Sequence, residues 1–214
     1  MRIAAIVPVK NPSTAKLRLS KVLTQSSREK LTIEMLKDIV VSITSCKLIN
    51  YVVIVTSGEE RVSMVKEYGK NIFLIRDEGR GQIDAVMKGI SFAQEILQAD
   101  MVVILVADAP LIRPWDLYEI VRKGQVWSSV VLVPSDDGGT NVILQNPPKN
   151  IPLRYGKDSF QKHLDECEIR KLKCLIYSSE STSLDIDIPN DIERLKQLGK
   201  GTYAYSFVHE VFKN

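Results

Sequence analysis

Three aspartates carry the most specific chemical signal in the chain. In 101-MVVILVADAPLI-112 an unbroken apolar run stops at Asp108, and Pro110 follows almost at once. In 184-LDIDI-188, Asp185 and Asp187 alternate with Leu184, Ile186 and Ile188, so a strand puts both carboxylates on one face. Two carboxylates held side by side repel unless a cation lies between them. An all-oxygen set suits Mg2+, which favours carboxylates together with substrate phosphates. Plainer readings stand beside this one. Asp108 is also placed to cap the helix expected at Pro114, and the pair also fits the outer face of an edge strand.

Phosphate needs positive partners, and 8-PVKNPSTAKLRLSK-21 offers Lys10, Lys16, Arg18 and Lys21 directly after the first strand. Such a run is either a solvated face or a triphosphate cradle. The glycine-rich turn 77-DEGRGQIDAVMKG-89 places Gly79 and Gly81 just before a helix, whose free N–H groups favour anions. In 154-RYGKDSF-160, Gly156 permits close backbone approach, and Asp158 or Ser159 can cap the next helix. The same segment could instead seat a small anion on that helix with Lys157 and the Ser159 hydroxyl. Upstream, 136-DDGGTNVIL-144 is a turn entering a strand, from which Thr140 and Asn141 could reach a ligand. His163 and His209 show no spacing that suggests a dyad, and no Ser/His/Asp or Cys/His arrangement emerges. The inventory fits positioning and charge neutralisation in phosphoryl or nucleotidyl transfer, with the substrate itself as nucleophile.

These residues need a frame. Strand-like runs are expected at Ile3–Val9, Tyr51–Thr56, Ile72–Ile75, Met101–Ala107, Val130–Val133, Val142–Leu144 and Leu172–Tyr177. Helices are expected at 59–68, 82–97 and 159–167, with another opened by a Ser26/Glu29 capping box and a last one by an Asn190/Glu193 box before Gly199. Uniformly apolar strands separated by helices predict a mostly parallel sheet buried on both faces. Ligands of such sheets bind beyond the carboxyl ends of the strands, where Asp108 and the basic loop both fall.

The totals agree with one α/β core. The chain has 214 residues, is 44% hydrophobic and 26% charged, and carries a net charge of +3, too small to argue for nucleic acid. No apolar run approaches the roughly 20 residues of a membrane span. Three cysteines without metal or redox spacing read as reduced thiols of a cytoplasmic protein. With no repeat or linker, residues 1–214 read as a single domain. Its tail, 200–214, carries Tyr203, Tyr205 and Phe207 at period two, which need cover from the chain's own sheet or from a partner.

In this order, PVKNPSTAKLRL, MLKDIV, DEGRGQIDAVMKG, VADAPLI, PSDDGGTNVIL, RYGKDSFQKH and LDIDIPNDIERL resemble the 2-phospho-L-lactate guanylyltransferase family of coenzyme F420 biosynthesis, and an archaeal member in particular. The resemblance runs from about Met1 to Leu198. It implies a Rossmann-like nucleotidyltransferase fold, GTP and Mg2+ as partners, a homodimer, and hand-off of product to a downstream F420 transferase. It implies attack by the phosphate of 2-phospho-L-lactate on the α-phosphorus of GTP, whereas bacterial relatives use phosphoenolpyruvate. By the same resemblance Asp108, Asp185 and Asp187 hold metal. Thr140, Gly156 and Ser159 hold the small substrate. Lys10, Lys16 and Arg18, with Gly79 and Gly81, face the triphosphate, and Asp108, Lys16 and Arg18 serve catalysis.

The family's usual Gly-Leu-Asn at the glycine-rich turn is here Gly81-Gln82-Ile83, so a base-reading asparagine does not carry over. Nucleotidyltransferases with sugar-phosphate or molybdopterin acceptors carry an early L-x-x-G-x-G-x-R loop, which PVKNPSTAK lacks. Phosphoenolpyruvate or another phosphorylated acceptor, and a catalytically silent nucleotide-binding protein on this fold, are the alternatives.

Overall fold

The computed structural model describes residues 1–213; Asn214, the last residue of the expected tail, lies outside the described residues. The strands are β1 (Ile3–Val9), β2 (Tyr51–Thr56), β3 (Ile72–Arg76), β4 (Met101–Leu105), β5 (Ser129–Pro134), β6 (Thr140–Asn146) and β7 (Lys173–Ile176). The α-helices are α1 (Gln25–Ser45), α2 (Glu59–Val62), α3 (Gln82–Glu95), α4 (Pro114–Gly124), α5 (Ser159–Ile169), α6 (Glu180–Ser183), α7 (Pro189–Leu198) and α8 (Tyr203–Val211). All seven strands form one sheet in the order β3-β2-β1-β4-β6-β5-β7. Every pairing is parallel except those of β6, which runs antiparallel to both β4 and β5.

Alternation along β1 shows how the sheet is buried twice. Ile3, Ala5, Val7 and Val9 join a cluster with Leu36, Ile39 and Ile43 of α1 and Leu117 and Ile120 of α4. Ala4 and Ile6 point the other way, into a cluster with Val86, Ile90 and Ala93 of α3 and Cys167 of α5. Helix α3 rides so close to the sheet that a Cβ on Gly89 would come 2.6 Å from Ile6 Cγ2 and 3.0 Å from Val55 Cγ2. A larger residue there would push the helix off the strands.

A third cluster binds the chain's ends together. Leu19 and Leu23 of the N-terminal loop meet Leu31 and Met35 of α1, Leu184 and Ile186, Ile192 and Leu195 of α7, and Ala204, Phe207 and Val208 of α8. The tail is therefore a helix docked on the chain's own helices, rather than a period-two strand lying on its sheet. Asp38 of α1 anchors it by accepting the Tyr203 and Ala204 backbone N–H groups at 2.7 and 2.9 Å. Phe207 turns inward while Tyr203 remains exposed.

Four local expectations are corrected. The cap of α1 is Thr24, whose hydroxyl accepts the Ser27 amide, rather than Ser26. Asp191, not Asn190, closes the start of α7, its carboxylate accepting the Asp187 and Ile188 amides at 2.8 Å each. The expected helix over 59–68 is one α turn followed by a 3-10 segment, Ser63–Tyr68. Residues 184–188 pair in no ladder, although Leu184 and Ile186 are buried as alternation requires.

Candidate active site

Strand direction assembles the site. The parallel strands β1 to β4 all end on one rim, and antiparallel β6 begins there, so Thr140 lies beside the end of β4. The Val106 amide, donating to the Asn141 carbonyl at 3.0 Å, closes that junction. A cleft of about 840 Å³ opens along this rim. Lys10, Lys16, Arg18, Gly79, Gly81, Asp108, Thr140, Gly156, Ser159, Asp185 and Asp187 all line it, whereas Lys21 of the basic run does not.

Strand β4 ends at Leu105, so Asp108 stands beyond it on a turn and not on the strand itself. The Asp108 carbonyl accepts the Ile186 amide at 2.9 Å, which draws the 184–188 segment to its side. Burial of Leu184 and Ile186 then leaves Asp185 and Asp187 facing the cleft. Between the acids stands Lys16. Its ammonium lies 2.7 Å from Asp108 Oδ2 and 2.7 Å from Asp187 Oδ1, with the side chain only 6% exposed. Among the described residues no three carboxylates, imidazoles or thiols enclose a single metal-sized point.

The charges sort the cluster into two ends. At Asp187, burial alone would push the pKa up, but Lys16, with Arg18 and Lys10, holds it below the usual carboxylate range. At Asp185, burial together with Asp108, Asp137 and Asp187 pushes the pKa up to about 7. Lys16 is raised, because its two carboxylates outweigh the burial that disfavours its charge. The acids thus bridge a cationic end and an end facing the 135–141 turn, where Asp185 meets only other carboxylates. Oxygen donors without a cationic partner at that end fit a hard divalent cation.

At the cationic end, Arg18 is exposed and its Nη1 lies 4.0 Å from Asp187 Oδ2. Helix α3 starts after Gly79 and Gly81, whose φ of +76° and +114° disfavour any residue with a Cβ. The amides of Gln82, Ile83 and Asp84 have no acceptor among the described residues, which leaves an anion-seeking helix start on the cleft wall.

Helix α5 differs. Its first amides, of Ser159 and Phe160, are taken by the Gly156 and Gly138 carbonyls, and Asp158 sits at the cap without a side-chain capping bond. The amides of Gly156, Lys157 and Asp158 just ahead of it have no acceptor among the described residues and stand on the cleft wall with the hydroxyl-bearing residues. Thr140 Oγ1 lies 3.2 Å from Ser159 Oγ and 3.1 Å from His163 Nδ1. Asn141 also lines the cleft, with its side-chain amide nitrogen donating to the buried Thr182 carbonyl at 3.0 Å.

Two participants were missed in the sequence. Asp137, which accepts the Ser135 hydroxyl and the Gly139 amide, bears on Asp185. His163 follows Ser159 by one helical turn, a spacing that marks a shared face and could have been read.

Solved structures place this fold. A protein assigned as a nucleotide-diphospho-sugar transferase from Desulfovibrio desulfuricans G20 superposes with a TM-score of 0.81 at 18% identity, covering 100% of this chain and 96% of its own. A nucleotidyl transferase from Methanothermobacter thermautotrophicus gives 0.66 at 14%, covering 92% and 96%. The fold is that of the nucleotidyltransferases. The particular family follows from sequence: residues 3–213 match the family described as Guanylyl transferase CofC like, and the chain belongs to it. A 2-phospho-L-lactate guanylyltransferase of Methanocaldococcus sp. (strain FS406-22) is 31% identical over 206 residues, 95% of this chain and 85% of that one. A phosphoenolpyruvate guanylyltransferase of Thermobaculum terrenum is also 31% identical, over 203 residues, 92% of this chain and 84% of that one. No helix is long and apolar enough to cross a membrane.

Proposed function

We propose that this chain, acting as one nucleotidyltransferase domain, joins GTP to 2-phospho-L-lactate in coenzyme F420 biosynthesis. A phosphate oxygen of the acceptor forms a bond to the α-phosphorus of GTP. The bond from that phosphorus to the β-phosphate bridge oxygen breaks, giving lactyl-2-diphospho-5'-guanosine and pyrophosphate. The observation that carries this reading is the order of groups along one cleft: cations and open α3 amides at one end, hydroxyls of Thr140 and Ser159 at the other, and carboxylates between.

Lys10, Lys16 and Arg18 hold the triphosphate with the amides after Gly79 and Gly81, and neutralise the charge that builds on the leaving pyrophosphate. Thr140 and Ser159, with Gly156 allowing close approach, hold the phosphate or carboxylate of the acceptor. Asp108, Asp185 and Asp187 would hold Mg2+, which when bound would supply neutralisation of phosphate charge. Lys16 already stands where a cation is wanted, so it keeps Asp108 and Asp187 in place for that role. A homodimer, hand-off to the downstream transferase and a cytoplasmic location are part of the same proposal, supported by the family resemblance.

Phosphoenolpyruvate is the second reading of the acceptor, favoured by the Thermobaculum terrenum relative. Purified protein with GTP and Mg2+ is to be assayed for pyrophosphate with 2-phospho-L-lactate, phosphoenolpyruvate or no acceptor. Release only with 2-phospho-L-lactate is expected. Release only with phosphoenolpyruvate transfers the assignment, and a rise in melting temperature with GTP but no release under any condition refutes the enzyme.

A further inference from the structure

Helix α5 carries a buried imidazole that the proposed chemistry does not use. His163 is 0% exposed, and both ring nitrogens are engaged. The Arg154 backbone N–H donates to Nε2 at 2.9 Å. A backbone amide can only donate, so Nε2 must present a lone pair. Burial favours the neutral ring, pushing its pKa down to about 4. The single ring proton therefore sits on Nδ1 and is donated to Thr140 Oγ1, 3.1 Å away.

Counting protons gives the consequence. Thr140 and Ser159 hold one hydroxyl proton each, and their mutual contact at 3.2 Å consumes one of them. His163 Nδ1–H fills a lone pair on Thr140 without taking a proton back. One hydroxyl proton is left over, and both residues line the cleft. With the opposite tautomer Thr140 would spend its proton on the ring, and the pair would turn an acceptor outward. We infer that His163 is a positioning residue that sets the direction of this hydrogen-bond chain, so that the Thr140–Ser159 pair presents a donor and selects an anionic oxygen of the acceptor, carboxylate or phosphate.

The element is built to hold that direction. Arg154 is tied to Glu166, three residues beyond His163 on α5, through Nε at 2.9 Å and Nη2 at 2.8 Å, which fixes the amide that sets the tautomer. The Tyr155 ring packs edge-on against the imidazole at 5.9 Å between centroids. Donors in series also polarise one another, which strengthens the last one.

The inference rests on the reading of Thr140, Gly156 and Ser159 as the acceptor site, and the two fail in different ways. The test combines imidazole nitrogen NMR on the full chain, where His209 is the one other histidine, with kinetics of two variants. The Nδ1–H tautomer is expected in the free protein. His163→Phe should raise the acceptor KM by roughly ten- to a hundredfold, the loss of a hydrogen bond to a charged group, with the KM for GTP within about twofold. His163→Asn keeps a donor at the Nδ1 position and should recover about tenfold of that loss, whatever its melting temperature. An Nε2–H tautomer, an acceptor KM untouched in His163→Phe, or equal defects in both variants would overturn the inference. Wild-type protein inactive with every acceptor would instead remove the functional reading, and this inference with it.

Discussion

Lys16 Nζ lies 2.7 Å from Asp108 Oδ2 although 92 residues separate them in the chain. The contact joins the end of the basic loop to the turn after β4, and it makes Asp108 answerable to two opposite forces. Lys16 attracts it, while Asp185 beside it is destabilised by its charge. In Asp108→Asn the ammonium keeps Asp187, and Asp185 is relieved of a like charge. Relief of Asp185 offsets part of what the buried Lys16 loses, so stability should fall by about 1–3 kcal/mol. On the proposed reaction, turnover should fall by roughly a hundred- to a thousandfold, the effect of losing a group that stabilises charge at the reacting phosphates. Thermal denaturation and pyrophosphate release on the same preparation check both halves. A folded variant with near-normal turnover would remove Asp108 from the site.

How much of this was readable beforehand depended on the range of the physics involved. Strands β1 and β2 match their sequence-derived bounds because an apolar β-branched run is a local signal. The Asp185/Asp187 alternation survived even where no strand formed, since burial of Leu184 and Ile186 suffices to orient an extended segment. Caps were read less well. Thr24 and Asp191 won over Ser26 and Asn190 because the choice depends on backbone angles at the helix start, which neighbouring residues do not reveal. The direction of β6 and the docking of α8 were hidden for a further reason: both depend on contacts between residues far apart in sequence. Lys16 was assigned to phosphate by its place in a basic loop, and its pairing with two aspartates is likewise a long-range fact.

Acid should loosen the fold through His163. Its pKa is about 4 in the folded chain against 6.5 in the unfolded one, so the folded state binds fewer protons between those values. Stability therefore rises with pH across that window. The contribution is complete above about pH 6.5 and is lost as pH falls toward 4, and its full size is on the order of 3 kcal/mol. Asp38 and Asp185, both raised to about 7 mainly by burial, act with the opposite sign over an overlapping range. The wild-type curve alone would mix these effects. The difference between wild type and His163→Asn isolates the imidazole: urea denaturation at pH 7.5 and pH 5 should show the variant losing less on acidification. An equal loss in both proteins would place the acid sensitivity elsewhere.

Helix α8 should matter for stability through its buried face and leave assembly untouched. Phe207 is 6% exposed, Ala204 and Val208 are fully buried, and all three pack in the cluster that also holds Leu184 and Ile186. Phe207→Ala removes a large side chain from that cluster and should cost about 3 kcal/mol. For a chain of this length the melting temperature should drop by roughly 6–12 °C. The same cluster anchors the segment bearing Asp185 and Asp187, so turnover near the new melting temperature should decline before global unfolding does. Because the inward face of α8 is covered by the chain's own α1 and α7, sedimentation velocity well below the transition should return the wild-type oligomeric state. Tyr203 and Phe212 are the exposed large apolar residues of the tail, and Tyr203→Ser is the variant to compare. A change of oligomeric state in Phe207→Ala, with none in Tyr203→Ser, would mean that the buried face of α8 is exchanged between chains and not kept within one.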